Sequence, residues 1–169
     1  DPFPWFERLI LTYTELEEVV SQPRRYAQWH AALRAVNAVY LIIDRRTGKQ
    51  YVGSAYGERG LLGRWHTYAD TIHGGNKLLV AELRINPAGH RNLQFSVLQI
   101  LPRTATADEV ITAENLHKRK LLTKEFGLNA VDRRKGAQIH DAVIGRPNHS
   151  GQAQQEPLHD QEPLARVQL

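Results

Sequence analysis

The chain contains no cysteine and no methionine. Without cysteine there is no disulfide framework and no thiolate zinc site, so any metal must be held by carboxylate, imidazole or water. Without methionine at position 1, Asp1 reads as a point inside a longer protein. No apolar run approaches the roughly 18 residues of a membrane-spanning helix, and no basic-then-apolar leader opens the chain. A soluble, cytoplasmic protein is expected. What is present is modest: 169 residues, of which 41% are hydrophobic, are enough for one core and one domain with additions. Lysine and arginine number 22 against 18 acidic residues, a net charge of +4 that points weakly to an anionic partner. Its placement is more telling. Lys118, Arg119, Lys120, Lys124, Arg133, Arg134 and Lys135 cluster against only Glu125 and Asp132, a local surplus suited to a phosphate backbone. The plain alternative is a solvated helix face.

Thr14-Glu-Leu-Glu17 has the form of a capping box, and Pro23 suits the first turn of a second helix running to about Leu33. Residues 1–34 therefore read as an N-terminal helical arm or linker. Val39 to Asp44 is rich in β-branched residues, Arg45 to Gly48 is a turn, and Lys49 to Ser54 returns as a second strand. A helix follows Gly60, a second is capped by Asn76 and ends before Pro87, and Leu93 to Leu101 reads as a buried strand. A long helix from about Ala107 to Phe126 closes at Gly127, where a left-handed cap is expected. The fold class is α+β: a small three-stranded antiparallel β-sheet flanked by helices in the order β-β-α-α-β-α. Residues 35–135 form the main domain. Residues 136–169, rich in Pro, Gln and Gly, are expected to be a mostly disordered tail.

A four-residue turn at positions 45–48 sets Tyr40 opposite Gly53 and diagonal to Tyr51, so both phenols emerge on one face. Gly53, lacking a side chain, leaves room for something to approach the sheet between the rings. Ordinary cross-strand packing of two tyrosines is the structural alternative. Arg64, early in the next helix, can hold a phosphate. Glu114 offers one carboxylate to a hard divalent cation that keeps most of its waters. A phenol, a guanidinium, a carboxylate and a basic helix are the parts of a one-metal phosphodiesterase.

With Ala38-Val39-Tyr40 and Tyr51-Val52-Gly53 on either side of a turn, then Arg64, Glu114 and Asn129 in order, the chain resembles the GIY-YIG nuclease superfamily from about Val36 to Val131. Two positions depart from the pattern. Ala38 stands where the first tripeptide has glycine, and Tyr68 stands where many members carry histidine, leaving that role to Tyr68, to His73 or to no residue. The resemblance implies a catalytic set of Tyr40, Tyr51, Arg64, Glu114 and Asn129 around a hollow on one side of the sheet. Tyr51 is the general base, Tyr40 positions the water or shares the proton, Arg64 stabilises the transferring phosphate, and Asn129 holds backbone. Glu114 binds Mg2+, with Mn2+ as a substitute. The implied activity is endonucleolytic cleavage of DNA to 5'-phosphate and 3'-hydroxyl ends, in the catalytic domain of a longer restriction, defence or DNA-processing protein. A homodimer or an upstream domain of the same polypeptide would supply specificity. The competing readings are an inactive DNA-binding module with this fold, and a scaffold whose tail recruits a partner. A transition-metal site pairing Glu114 with His117 is a minor alternative.

Overall fold

A computed structural model of the chain describes residues 2–131. Arg133, Arg134, Lys135 and the expected tail lie outside these residues. Within them the hairpin is the organising unit. Asp44 donates its N–H to the Lys49 carbonyl at 2.9 Å, and its carboxylate accepts the Arg46 N–H at 2.9 Å, an aspartate-stabilised turn completed by Gly48 at φ +74°. This joins β2 (Asn37–Asp44) to β3 (Gln50–Ala55) with Tyr40 opposite Gly53 and Ile42 opposite Tyr51.

The sheet has four strands, not three. Its order is β1-β4-β2-β3, all antiparallel, with β4 at Leu93–Leu101 and β1 at Ile10–Thr12. Strand β1 falls inside the stretch read as a helical arm. Three residues carry too little alternation to announce a strand, and this one exists through pairing Ile10 with Ser96 far along the chain. The same pairing corrects the next helix start. Thr12 ends the strand opposite Gln94 and caps α1 (Tyr13–Ser21): its hydroxyl accepts the Glu15 N–H at 3.3 Å while Glu15 accepts the Thr12 N–H at 2.7 Å. Two capping-box patterns overlap here, and the strand selects Thr12 over Thr14.

Helix α2 spans Ala27–Arg34, beginning after a turn over Pro23–Tyr26 instead of at Pro23. Helices α3 (Gly60–Thr71) and α4 (Lys77–Ile85) follow, the latter capped by the Asn76 side chain on Leu78 N–H at 3.1 Å. Helix α5 covers Ala107–Leu121 and ends sooner than expected, because Leu122 itself takes the left-handed cap at φ +51°. Gly127 is not a cap. A Cβ there would lie 2.3 Å from the Gln50 carbonyl oxygen, so its glycine permits close backbone approach to β3.

The two faces of the sheet bury different clusters. On one face Tyr40, Ile42 and Phe95 pack with Trp65 and Tyr68 of α3, and with Leu16 and Leu33 of α1 and α2. On the other, Val39, Val52 and Leu101 meet Val110 of α5. Leu16 and Leu33 are fully buried, each worth about 1.5–3 kcal/mol of transfer free energy. The first 34 residues thus contribute to the same core as the hairpin.

Candidate active site

Strand β3 is the free edge of the sheet. An exposed strand edge presents unpaired backbone groups, and here three of them are covered. The Leu128 N–H donates to the Gln50 carbonyl at 2.7 Å. The Asn129 side chain, buried, accepts the Val52 N–H and donates to the Val52 carbonyl, both at 2.9 Å, imitating a neighbouring strand. By the same alternation the next outward residue is Ser54, and at that point the covering stops and a cavity opens. It has a volume of about 650 Å³, and Tyr51, Ser54, Arg59, Arg64 and Glu114 are among its walls.

The hollow therefore lies around the edge of β3, not on one side of the sheet as expected. Tyr51 belongs to the face packed by α3, which carries Arg64. Ser54 alternates to the opposite face, where α5 carries Glu114. The two walls meet past the edge because β3 has no further strand beside it.

The phenols separate into different environments. Tyr51 is half-buried and lines the cavity. Tyr40 is fully buried behind it, its ring 6.4 Å from that of Tyr51, 6.3 Å from Trp65 and 6.0 Å from Tyr68. The space above Gly53 is filled by Tyr40 itself: a Cβ at Gly53 would lie 2.4 Å from the Tyr40 hydroxyl oxygen. The expected opening between the rings is thus closed from within. Gly74 serves Tyr68 in the same way, at φ +56°, with its Cβ position 2.5 Å from the ring. Burial pushes the Tyr40 phenol well above its ordinary value of 10.0, with Tyr51 adding to the shift and Arg64 opposing it. Burial likewise pushes Tyr68 up strongly. Both are neutral hydrogen-bonding groups at neutral pH.

Those hydroxyls aim the guanidinium. Arg64 Nε donates to the Tyr40 oxygen at 3.1 Å, Tyr40 donates to Tyr68 at 3.3 Å, and the Arg64 guanidinium lies over the Tyr68 ring at 5.2 Å. Desolvation would weaken the Arg64 charge, but the phenol oxygens, chiefly that of Tyr40, outweigh it and keep Arg64 charged. With one nitrogen tethered, the rest of the fork faces a cavity whose other arginine is Arg59. On the opposite wall the Ser54 hydroxyl donates to one Glu114 oxygen, and Lys118 forms an ion pair with the other.

Other sequence candidates lie elsewhere. Tyr68 sits behind Tyr40, outside the cavity wall. His73 works in its own turn, its Nδ1 accepting the Gly75 N–H at 2.9 Å and its carbonyl the Asn76 N–H at 3.0 Å. His117 meets the Gln99 side chain at 3.0 Å, a partner other than Glu114, and burial first and then Lys120 push its imidazole pKa down. Arg119 and Lys120 are exposed on α5 and Lys124 is half-buried beyond it, whereas Lys118 is turned into the site. Ser54 and Arg59 join these residues only in the structure. Period-two alternation after Tyr51-Val52-Gly53 marks Ser54 as facing the last helix; nothing local marks Arg59.

Among the described residues no three His, Asp or Glu side chains converge on one point. A single carboxylate does not fit a zinc cage; of the common metals, only a hard cation that keeps most of its waters could use it as its one protein ligand. Also among these residues, no helix is long and apolar enough to cross a membrane.

No protein-family model and no curated protein matches the chain. Two solved structures are similar to it: the catalytic domain of homing endonuclease I-TevI, and a mutant of the catalytic domain of intron endonuclease I-TevI. Each is 22% identical with a TM-score of 0.47 over 57% of this chain, spanning 99% and 95% of the neighbour's own length respectively.

Proposed function

We propose that residues 35–135 are a GIY-YIG endonuclease catalytic domain that hydrolyses DNA phosphodiesters to 5'-phosphate and 3'-hydroxyl ends. One observation carries the reading: Tyr51, Arg64 and Glu114, from a strand and two different helices, wall a single cavity large enough for a nucleotide.

In this reading the scissile phosphate binds the free nitrogens of Arg64, which the Tyr40 hydroxyl holds in place. Tyr51 releases its own phenolic proton to solvent and, as the phenolate, takes a proton from the attacking water; of the three clustered phenols, Tyr40, Tyr51 and Tyr68, it alone lines the cavity. The water oxygen bonds to phosphorus, the bond to the 3' oxygen breaks, and the departing oxygen collects a proton from solvent. Arg64 meets the charge that grows on the pentacoordinate phosphorus, a contact often worth about 3–4 kcal/mol. Glu114 would hold Mg2+ or Mn2+, which when bound supplies Lewis-acid stabilisation of the leaving oxygen. Ser54 orients that carboxylate from the strand side. Asn129 keeps the edge of β3 intact next to the cavity. Exposed Arg119 and Lys120 extend the positive surface toward flanking phosphates. A longer restriction, defence or DNA-processing protein, or a homodimer, would provide specificity and the second cut.

Plasmid nicking with Mg2+ or Mn2+, against EDTA, tests the proposal. The expected result is metal-dependent nicking that Glu114→Ala abolishes while DNA binding persists. Undiminished cleavage by Glu114→Ala would overturn the one-metal assignment. DNA binding without nicking in either metal would favour an inactive binding module.

A further inference from the structure

The Glu114 carboxylate already has both oxygens occupied by the protein. Ser54 donates to Oε2 and the Lys118 ammonium pairs with Oε1. The pair is shielded, with side-chain exposures of 15% for Glu114 and 16% for Lys118. Helix geometry places it there: Glu114 precedes Lys118 by one turn, the favourable orientation, and Lys118 lies in the last turn of α5 where a cation suits the helix dipole. The next basic residues, Arg119 and Lys120, are exposed and form no ion pair with another described residue.

A divalent ion bound to Glu114 needs at least one carboxylate oxygen. The Ser54 hydroxyl can keep its oxygen and orient the ligand, as outer hydrogen bonds commonly do. The ammonium cannot stay, because it occupies the second oxygen and would face a like charge at contact distance. We infer that Lys118 is a resident competitor for the cation at Glu114, so that metal and ammonium hold this carboxylate in turn. With the ammonium in place on Oε1, the protein without DNA is a poor metal binder. This deepens the one-metal reading and rests on it.

Mn2+ binding to the DNA-free full chain, followed by the electron paramagnetic resonance of free Mn2+, reads the competition without any turnover. Lys118→Gln should bind Mn2+ about ten- to a hundredfold more tightly than the parent, within the usual range of site coupling. Lys118→Arg, which keeps the charge and the reach, should bind like the parent. Arg119→Gln removes a solvated charge from the same helix and should shift affinity by no more than about twofold, since exposed charges are screened. Adding Glu114→Gln to Lys118→Gln should erase the gain. Lys118→Ala repeats the reading with a side chain too short to hydrogen-bond Glu114 in the ammonium's place. The inference fails if Lys118→Gln and Lys118→Ala bind no tighter than Arg119→Gln, or if the gain survives loss of Glu114. Metal-dependent nicking by the parent together with that result would sink the competition alone. No Mn2+ binding by any variant would sink the one-metal reading with it.

Discussion

Replacing Gly53 with alanine should damage the site more than the fold. The new Cβ would lie 2.4 Å from the Tyr40 hydroxyl oxygen, 2.5 Å from its Cζ and 2.9 Å from Cε2. Carbon contacts are comfortable near 3.5–4.0 Å, so the ring must withdraw by about 1 Å. It has nowhere easy to go: Tyr40 is fully buried, with Tyr51, Trp65 and Tyr68 around it. Overpacking of this kind costs about 1–3 kcal/mol, a fall in melting temperature of roughly 2–12 °C for a chain of this size. Tyr40 also carries the oxygen that tethers Arg64 Nε at 3.1 Å. Moving that anchor by an ångström misplaces the guanidinium, and displacements of this size cost on the order of a hundredfold in rate. Gly48→Ala is the matched control. Its φ of +74° strains an alanine by about 1–2 kcal/mol, but no atom lies within 4 Å of the new Cβ and the residue is outside the cavity wall. Urea melts should therefore show comparable losses for both variants, while nicking rates at saturating DNA fall only for Gly53→Ala. Equal, undiminished rates for the two would refute the claim that Tyr40 positions Arg64.

Asn129→Ala removes both partners of the Val52 backbone groups at the strand edge. Two orphaned, buried polar groups should cost about 2–5 kcal/mol in urea unfolding, with faster hydrogen exchange at the Val52 amide; a variant as stable as the parent would contradict the edge-capping role. Alkaline stability should report the buried phenols. Tyr40 and Tyr68 both have folded values raised above 10.0, so their contribution is fully present below pH 10 and is lost as the unfolded chain ionises above it. Each phenol adds roughly 1.4 kcal/mol per pH unit to that decline. Tyr68→Phe should make the fall in unfolding free energy between pH 10 and 11.5 shallower by about that amount; an unchanged slope would mean that Tyr68 ionises in the folded protein.

Much of the frame follows from local rules that a chain obeys before it folds. The Asp44 to Lys49 turn fixes the hairpin register, and the two-residue period of a strand then dictates that Tyr40 faces Gly53 and shares a face with Tyr51. Capping by Asn76, the start of α5 at Ala107 and the extent of β4 are equally local. Strand β1 and the start of α1 were not legible, because each is chosen by a contact with distant residues, Ser96 and Gln94; the end of α5 was not legible because its left-handed cap is Leu122, a residue type that does not announce one. The candidate site divides the same way. Its residue types could be named from order and spacing, but spacing along the chain carries no information about depth. Only packing decided that Tyr40 is sealed beneath Trp65 and Tyr68 while Tyr51 meets the cavity, that Gly53 is filled by a ring instead of open to a ligand, and that Lys118 turns inward to Glu114 instead of outward. Register is set by covalent geometry over a few residues; burial is set by which helices come to rest against the sheet, and that depends on the whole chain at once.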